Sequence, residues 1–293
     1  MQPGIVIRTV GGFCDVQTET GEVLRCLVPG KIKREHQRVL VGDRVYVRAT
    51  TPTEVVVEQV LPRTRELVRP PVANADVLVV VNSVAYPAVN LVLLDRLLLA
   101  AHQQDLECII CWNKVDLAEE SPQLAQYIEA YAREGYKCVR TSAVRGDGID
   151  ELTALLSGSI AVLAGDSGVG KSALFNRLLG ERIQEEGDVS HRLRRGRHTT
   201  REVVLYPLPK GGFIADTPGF TRISLSGIEP VELDSFFFSR YLSNCYYADC
   251  RHRDEPDCAI KEAVAQGEIP AWRYDQYLTF LEELEVIMDE QWK

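Results

Sequence analysis

The 293-residue sequence lacks any apolar run long enough to cross a membrane. Its longest runs, such as ADVLVVVNSV and SIAVLAG, have the length of strands, whereas a membrane-spanning helix needs about 20 apolar residues. The N-terminal stretch MQPGIVIRTVGG also lacks the basic segment and apolar core of a secretory signal. No repeat or low-complexity tract is present. We therefore expect a globular cytoplasmic protein with no membrane partner.

An overall excess of basic charge is also missing, because the formal net charge at pH 7 is −9. The charge is unevenly distributed. Residues 1–71 hold 11 Lys and Arg against 8 Asp and Glu, residues 72–225 hold 16 against 19, and residues 226–293 hold 6 against 15. A nucleic-acid contact is therefore expected on the first segment or on local basic stretches.

A disulfide framework is not expected either. The eight cysteines are more typical of free thiols or metal ligands, since disulfides are rare in cytoplasmic proteins. Cys108 and Cys111 have the spacing of half a zinc knuckle, but they lie in an apolar strand whose period of two points them to opposite faces. We predict that both are buried thiols and not metal ligands.

The first part of the chain has the pattern of short alternating strands broken by turns. Five such strands in about sixty residues indicate a small closed barrel, and ETGE supplies a hairpin turn. We predict an OB-like barrel over residues 1–70, with these strands: GIVIRTV, FCDVQTE, EVLRCLV, DRVYVRA and EVVVEQV.

A basic loop lies between the third and fourth of these strands. It carries Lys31, Lys33, Arg34 and Arg38, with His36 among them. An OB-type barrel with a basic loop is a common oligonucleotide-binding surface. Solvated lysines on an ordinary loop have the same pattern, so this feature favours RNA binding without deciding it.

The pattern changes after the proline-rich stretch LPRTRELVRPPVANA, which we interpret as a linker. Continuous apolar runs, typical of strands buried on both faces, then alternate with segments of helical length. This alternation predicts a doubly wound parallel sheet in an α/β domain over residues 71–225.

A phosphate-binding loop lies inside this domain. The stretch SIAVLAGDSGVGKSALFNRLLG fits the pattern G-x-x-x-x-G-K-[ST] between a strand and a helix. Glycines let the backbone wrap the phosphates at the helix N-terminus, the lysine neutralises the β and γ phosphates, and the serine hydroxyl is a ligand for Mg²⁺. The predicted nucleotide contacts are Gly165, Asp166, Ser167, Gly168, Val169, Gly170, Lys171, Ser172 and Ala173.

A second phosphate-sensing element follows. ADTPG contains Asp-x-x-Gly as Asp216 to Gly219, after the strand-like GGFI. In that motif the aspartate orients a water bound to Mg²⁺, and the glycine amide meets the γ-phosphate. An ordinary Pro-Gly turn is the alternative, but Asp216 lies 45 residues beyond Lys171, which leaves room for a helix, a switch loop and two strands.

Base selection is predicted at CWNKVDL, through Asn113, Lys114 and Asp116. A carboxylate at Asp116 can accept two hydrogen bonds from the ring N–H and the exocyclic amine of guanine, a donor pair that adenine does not present. The stretch TSA, which includes Ser142 and Ala143, resembles the element that braces the base from the following strand.

These motifs occur in an unusual order, with the base-reading element upstream of the phosphate-binding loop. A sheet's site depends on which strand ends meet in space, so natural termini that lie close together can be joined and the chain reopened elsewhere. The order indicates a circular permutation that cuts the chain between Asp-x-x-Gly and DVLVVVN. The second switch then leads directly into residues 226–293.

The last segment contains a candidate metal site. Cys245, Cys250, His252 and Cys258 supply three sulfur ligands and one imidazole, the ligand set of a closed structural zinc site. The spacing is not the common C-x2-C, so reduced structural thiols are the alternative. IPAWRYDQYLTFLEELEVIMDE, further on, is predicted to be an acidic helix with a solvated face. We predict a zinc-binding helical domain over residues 226–293.

Together these motifs resemble the ribosome small subunit-dependent GTPase A family, RsgA, over essentially the whole chain. The resemblance implies a GTPase of late small (30S) subunit maturation, stimulated by the subunit and bound to its rRNA through the barrel and the zinc domain. It also implies GTP and GDP as ligands, Mg²⁺ with GTP, one structural zinc, and we expect a monomer. Phe220 stands where many GTPases place a water-orienting glutamine, and the family is similar in this hydrophobic replacement.

The basic stretch SHRLRRGRHTTREV lies where the first switch is expected. Thr200, or alternatively Thr199, is predicted to complete the Mg²⁺ shell with Ser172. His198 lies two residues from Thr200, and an imidazole there could orient the attacking water, as the family's Gly-Arg-His-Thr-Thr run also implies. The alternative is that His198 and its arginines only contact rRNA phosphates.

Two other functions fit parts of the sequence. An RNA-binding scaffold could hold GTP without useful turnover, and Phe220 favours this interpretation. A GTPase with a protein or membrane partner is the other, but no amphipathic or lipidation signal supports it. The GTP-hydrolysing assembly factor is the leading interpretation.

Overall fold

The computed structural model describes residues 1–35, 38–68, 70–117, 121–180, 203–216, 225 and 227–291. The chain divides into two compact units, Met1–Thr221 and Arg222–Lys293. Within the described residues, no helix has both the length and the apolarity needed to span a bilayer.

The first unit begins with the predicted barrel. Its strands close in the order β1-β2-β3-β5-β4, with β3 and β5 parallel and the other pairs antiparallel. Side chains that alternate along the strands, such as Val6, Val16 and Val57, fill the interior. The elements are β1 (Gln2–Val10), β2 (Phe13–Thr18), β3 (Val23–Leu27), α1 (Gly30–Glu35), β4 (Arg44–Thr51) and β5 (Glu54–Val60).

The predicted linker is folded against the barrel. It forms a short antiparallel hairpin of β6 (Glu66–Val68) and β7 (Pro71–Ala73). The Arg63 guanidinium donates to both carboxylate oxygens of the fully buried Asp43, at 2.7 and 2.9 Å. The Asn74 side chain donates to the Gly42 carbonyl at 3.0 Å. These contacts attach the segment to the barrel wall.

A six-stranded sheet with the order β10-β9-β8-β11-β13-β12 follows, and only β12 runs antiparallel to its neighbour. All seven residues of β8 are buried, as predicted for a strand covered on both faces. The strands are β8 (Val77–Ser83), β9 (Glu107–Asn113), β10 (Lys137–Thr141), β11 (Ile160–Ala164), β12 (Val204–Pro207) and β13 (Phe213–Asp216).

In the described part of the chain, four α-helices lie between these strands: α2 (Leu91–His102), α3 (Pro122–Arg133), α4 (Ile149–Leu155) and α5 (Lys171–Leu179). The Ser121 hydroxyl caps α3 by accepting from the Leu124 amide, and Pro122 occupies the first turn. The strand order explains why the motifs are permuted in the chain. Strand β11, which leads into the phosphate-binding loop, follows β10 in the chain but lies between β8 and β13 in the sheet, so the motifs still meet at one edge. The predicted α/β fold with a permuted sheet is confirmed.

The second unit is helical, with α6 (Pro230–Phe238), α7 (Ala259–Ala265) and α8 (Ala271–Gln291). Tyr277, Phe280 and Leu284 of α8 are fully buried, and the Tyr277 ring lies 4.8 Å from that of Phe238. The interpretation of this stretch as a solvated acidic helix is therefore wrong for one of its faces. That face forms the core of the unit.

Candidate nucleotide and metal sites

The predicted nucleotide motifs meet at one edge of the sheet. Strands β8, β9, β10, β11 and β13 are parallel, so their carboxyl ends lie together. Asn113 ends β9, Gly165 follows β11, and Asp216 ends β13. The register Val162↔Ala215 places Asp216 beside the strand that leads into the phosphate-binding loop.

The glycines of that loop are required by its geometry. Gly165 has φ +138°, and a Cβ there would lie 2.2 Å from the Val81 carbonyl oxygen. Gly170 has φ +99°, and a Cβ there would lie 2.4 Å from Asn113 Nδ2. Side chains at either position would be both strained and in collision. The loop can therefore wrap closely around phosphate oxygens.

Lys171 is the first residue of α5, and its side chain turns back into the phosphate-binding loop. Its Nζ donates to the carbonyls of Gly165 at 2.9 Å and Asp166 at 2.6 Å. Desolvation lowers the pKa of this ammonium group. A phosphate would provide a negative partner in place of two neutral carbonyls. Ser172 and Ala173 are exposed in the first turn of the helix, where the Ser172 hydroxyl is a hard oxygen ligand that fits Mg²⁺.

Asn113 connects the base-reading element with the rest of the site. Its side chain is 1% exposed, and its Nδ2 donates to the Val169 carbonyl at 3.0 Å. Its Oδ1 accepts from the Thr141 hydroxyl at 3.1 Å and from the Ala143 amide at 3.3 Å. The buried Asn113 amide thus connects the phosphate-binding loop with residues 141–143, the TSA stretch predicted to brace the base (the brace).

Lys114 extends across the phosphate loop. Its Nζ donates to the Gly168 carbonyl at 2.7 Å and to the Tyr86 carbonyl. Its backbone is left-handed, with φ +69°. Ser167 and Gly168 are exposed at the tip of the loop, and Gly168 has φ +82°. The lysine side chain therefore fixes the position of this tip.

Asp116 faces the brace, where the Ser142 hydroxyl donates to its Oδ1 at 2.5 Å. This hydrogen bond is the main cause of a lowered pKa for the Asp116 carboxyl. The Ser142 Oγ also accepts from the Arg145 amide at 3.0 Å, which fixes its orientation. A charged and oriented carboxylate is what recognition of guanine requires.

The second unit brings together the four predicted metal ligands. The ligand atoms of Cys245, Cys250, His252 and Cys258 lie within 4.8 Å of one another. His252 Nδ1 lies 3.5 Å from the sulfurs of Cys245 and Cys258. Three of the four residues are buried, and burial raises the pKa of the Cys250 thiol. Three sulfurs and one imidazole nitrogen in this arrangement fit a tetrahedral metal ion.

Two family models match this chain along most of its length. The model described as RsgA N-terminal domain matches residues 3–57, and the model described as RsgA GTPase matches residues 60–226. The chain belongs to the RsgA GTPase family. It is therefore a GTP hydrolase, and the family implies the use of Mg²⁺ with the nucleotide.

Curated relatives from the RsgA family support the assignment. The proteins named small ribosomal subunit biogenesis GTPase RsgA from Carboxydothermus hydrogenoformans and Caldanaerobacter subterraneus subsp. tengcongensis are 45% and 41% identical to this chain. The matches span 96% of this chain, and 97% and 95% of those proteins.

Two solved structures have the same fold. The crystal structure of YjeQ from Thermotoga maritima matches with a TM-score of 0.81 at 36% identity, over 97% of this chain and 98% of that one. YloQ, described as a circularly permuted GTPase, matches with a TM-score of 0.80 at 32% identity, over 99% and 96%. The permutation predicted from motif order is confirmed.

Some predicted residues of this RsgA GTPase fall outside the described part of the chain. They are His198, Thr199, Thr200, Gly219 and Phe220. Conversely, sequence reasoning missed the Tyr86 carbonyl and the Thr141 hydroxyl, which hold Lys114 and Asn113. Thr141 is the first residue of the TSA stretch, so its role could have been predicted from the sequence. The role of the Tyr86 carbonyl could not, because every residue has a main-chain carbonyl.

Cys108 and Cys111 are not part of a metal site in the described residues, where only the Cys245 cluster has enough neighbouring ligands. Burial raises the pKa of both thiols to about 12. Cys111 is fully buried, whereas Cys108 is only partly buried at the start of β9. The predicted burial is therefore confirmed for Cys111 and only in part for Cys108.

Proposed function

We propose that this GTPase acts in late maturation of the small (30S) ribosomal subunit, that the subunit stimulates its GTP hydrolysis, and that it binds rRNA. The observation that carries the proposal is the assembled site, in which Asn113 joins base reading to phosphate binding, in a chain that resembles named subunit-biogenesis GTPases along nearly its full length. The basic balance of residues 1–71 supports rRNA as a ligand of the barrel.

In the proposed nucleotide complex, Asp116 accepts from guanine and the amides of the phosphate loop bind the phosphates. The contacts are Asn113, Lys114, Asp116, Ser142, Ala143, residues 165–173, Asp216 and Gly219. Hydrolysis adds water to the γ-phosphorus and breaks its bond to the β–γ bridging oxygen, and Lys171 stabilises the charge that develops there. Ser172 and Thr200 would hold Mg²⁺, which neutralises the phosphate oxygens when bound.

His198 is the proposed residue for orienting the attacking water. Phe220 follows the Asp-x-x-Gly motif and has no hydrogen-bonding group, so another side chain must take this role. The imidazole of His198, two residues before Thr200, has the required donor and acceptor atoms. The other interpretation, in which His198 contacts rRNA phosphates, predicts a loss of subunit binding instead of turnover.

The metal at Cys245, Cys250, His252 and Cys258 is proposed to be one structural zinc, since four protein ligands leave no open position. We further propose a cytoplasmic monomer without membrane contact. The domain boundaries are proposed as a barrel over 1–70, a GTPase domain over 71–225 and a zinc-binding domain over 226–293, supported by family matches to 3–57 and 60–226.

Turnover with and without purified small subunits tests the function. We expect GTP hydrolysis to rise strongly when subunits are added to the full-length protein. The variant His198→Ala should lose most of this stimulated turnover while GTP and subunit binding stay close to wild type. Wild-type protein that binds GTP and the subunit without stimulated turnover would instead be an RNA-binding scaffold.

A further inference from the structure

The outer surface of β2 and β3 exposes an unusual group of side chains. Phe13, Val23 and Leu27 are 41%, 54% and 36% exposed, and Arg25 is exposed between the last two. Because Phe13 pairs with Leu27 across the two strands, these side chains form one surface, the Phe13 face, composed of Phe13, Val23, Arg25 and Leu27.

Arg25 and Phe13 form a cation–π pair on this face. The guanidinium carbon lies 5.2 Å from the centre of the Phe13 ring, within the range of a cation–π contact. An aromatic ring and a guanidinium plane are the two kinds of surface on which proteins stack unpaired bases. The pair is therefore preorganised for a planar, electron-rich ligand.

A small cavity of about 260 Å³ adjoins Phe13. Gly11 and Gly12 line it from the turn between β1 and β2, and the exposed Arg38 also lines it. Its volume lies just below the range of sites for drug-sized ligands, so it suits a single planar group. The cavity has a cation at its edge, where a phosphate attached to that group could lie.

The size and charge of the face favour nucleic acid over protein. A stable protein interface buries about 800 Å² on each partner, far more than three partly exposed apolar side chains offer. Residues 1–71 hold 11 basic against 8 acidic residues, so a polyanion is attracted to this part of the chain. In an OB-type barrel the surface of strands 2 and 3 is also the usual oligonucleotide face.

We propose that the Phe13 face stacks an unpaired base of single-stranded RNA on Phe13 and Arg25, with Arg38 beside the attached phosphate. This inference rests on the proposed rRNA-binding function and assigns the residues of the barrel that perform it. The guanidinium of Arg25 acts both as a stacking plane and as a positive charge. Asp15, its cross-strand neighbour, opposes the second role.

Direct binding of RNA tests the stacking. The probe is a fluorescently labelled single-stranded RNA of about 12 nucleotides, within the range of OB-fold site sizes. Phe13→Ala should weaken binding at least about fivefold, and Phe13→Trp should restore it, because stacking of one base contributes about 1–3 kcal/mol, which corresponds to about 5- to 150-fold. Phe13→Leu keeps apolar bulk without a ring and should behave like alanine. Wild-type affinity in Phe13→Leu would overturn the proposal.

A matched pair of arginine variants tests the position of the charge. Arg48 is also exposed on the barrel, on β4, where it pairs with Glu58 at 2.8 Å. Arg25→Ala and Arg48→Ala remove one positive charge each, but only Arg25→Ala should weaken RNA binding, and Asp15→Asn should strengthen it. Equal losses in the two arginine variants would mean that overall charge decides binding and would overturn the assignment.

Assays with subunits separate this inference from the proposed function. Phe13→Ala should need a higher subunit concentration for half-maximal GTPase stimulation, with GTP affinity and melting temperature unchanged. Normal stimulation of Phe13→Ala beside a stimulated wild type overturns the Phe13 face alone, whereas an unstimulated wild type overturns the proposed function. Loss of subunit binding without loss of RNA binding would identify the face as a protein contact and overturn the proposal.

Discussion

One oxygen of the Asp116 carboxylate has a hydrogen-bonding partner within the protein. Ser142 donates to its Oδ1, and this bond keeps the pKa of the carboxyl low. The carboxylate is therefore charged and oriented at neutral pH, so little of the binding free energy is lost in arranging it. Preorganisation of this kind favours a ligand that presents two donors.

We expect Asp116→Asn to weaken GTP binding by about 100-fold or more, because the amide offers a donor where guanine also offers one. Xanthosine triphosphate has a carbonyl in place of the exocyclic amine, so its affinity should rise. Equilibrium binding of both nucleotides measures the change. Asp147→Asn is the control, since this carboxylate lies on the loop after β10, which also holds Ser142, but pairs with Arg145 at 2.5 Å. An unchanged preference in Asp116→Asn would refute the role of Asp116.

At the scale of elements, the phosphate-binding loop packs against the end of β9 at Gly170. The loop turns into α5 at a residue with φ +99°, directly beside the Asn113 amide. A side chain at this position would displace Asn113, which holds the Val169 carbonyl and the brace. The phosphate-binding loop and the end of β9, which are distant in the chain, thus meet at one small contact.

Gly170→Ala should abolish measurable GTP binding and lower the melting temperature. Gly135→Ala provides a matched control, because Gly135 has a similar φ of +93° but open space where a Cβ would be placed. Both variants carry the backbone strain of an alanine at positive φ, about 1–3 kcal/mol, and only Gly170→Ala adds the collision. Calorimetric titration with GTP and thermal unfolding measure the difference. Equal effects in the two variants would show that the contact with Asn113 is unimportant.

The elements with strong periodic patterns were predictable, and those defined by tertiary contacts were not. The five barrel strands and α5 lie close to their predicted bounds, because alternation and a phosphate-loop motif determine them locally. The hairpin of β6 and β7 was missed because three prolines indicate a linker, whereas Arg63 and Asn74 fix the segment through partners some twenty or more residues away. The packed face of α8 was missed because the many acidic residues of the helix indicated a solvated surface, although Tyr277 and Phe280 are buried.

At the scale of the whole molecule, the nucleotide site and the metal cluster belong to different compact units. All described nucleotide-site residues lie in Met1–Thr221, and the four metal ligands lie in Arg222–Lys293. Among these ligands, His252 lies against the aromatic core, with its ring 5.8 Å from that of Phe238 and 5.9 Å from that of Tyr277. Removal of the metal should therefore unfold one unit selectively.

We expect chelation to increase hydrogen exchange along α8 while exchange in β8 and GTP affinity stay nearly unchanged. The cause is the loss of the cross-link that closes residues 245–258. Cys258→Ser should have the same effect, and Cys138→Ser, at a half-buried cysteine outside the cluster, should not. Metal analysis of the purified protein should find one zinc per chain. Protein prepared without chelator that contains no zinc would contradict this prediction.

The strand order also has a consequence for synthesis. β8, β9 and β10 leave the ribosome well before β11, the strand that covers the free edge of β8 from Val77 to Val80. At about 5–20 residues per second, this strand, whose first five residues are all apolar, has an unpaired edge for several seconds. The permutation thus leaves the site of the folded protein intact. During synthesis, however, the unpaired edge of β8 makes the nascent chain prone to aggregation and to binding by chaperones.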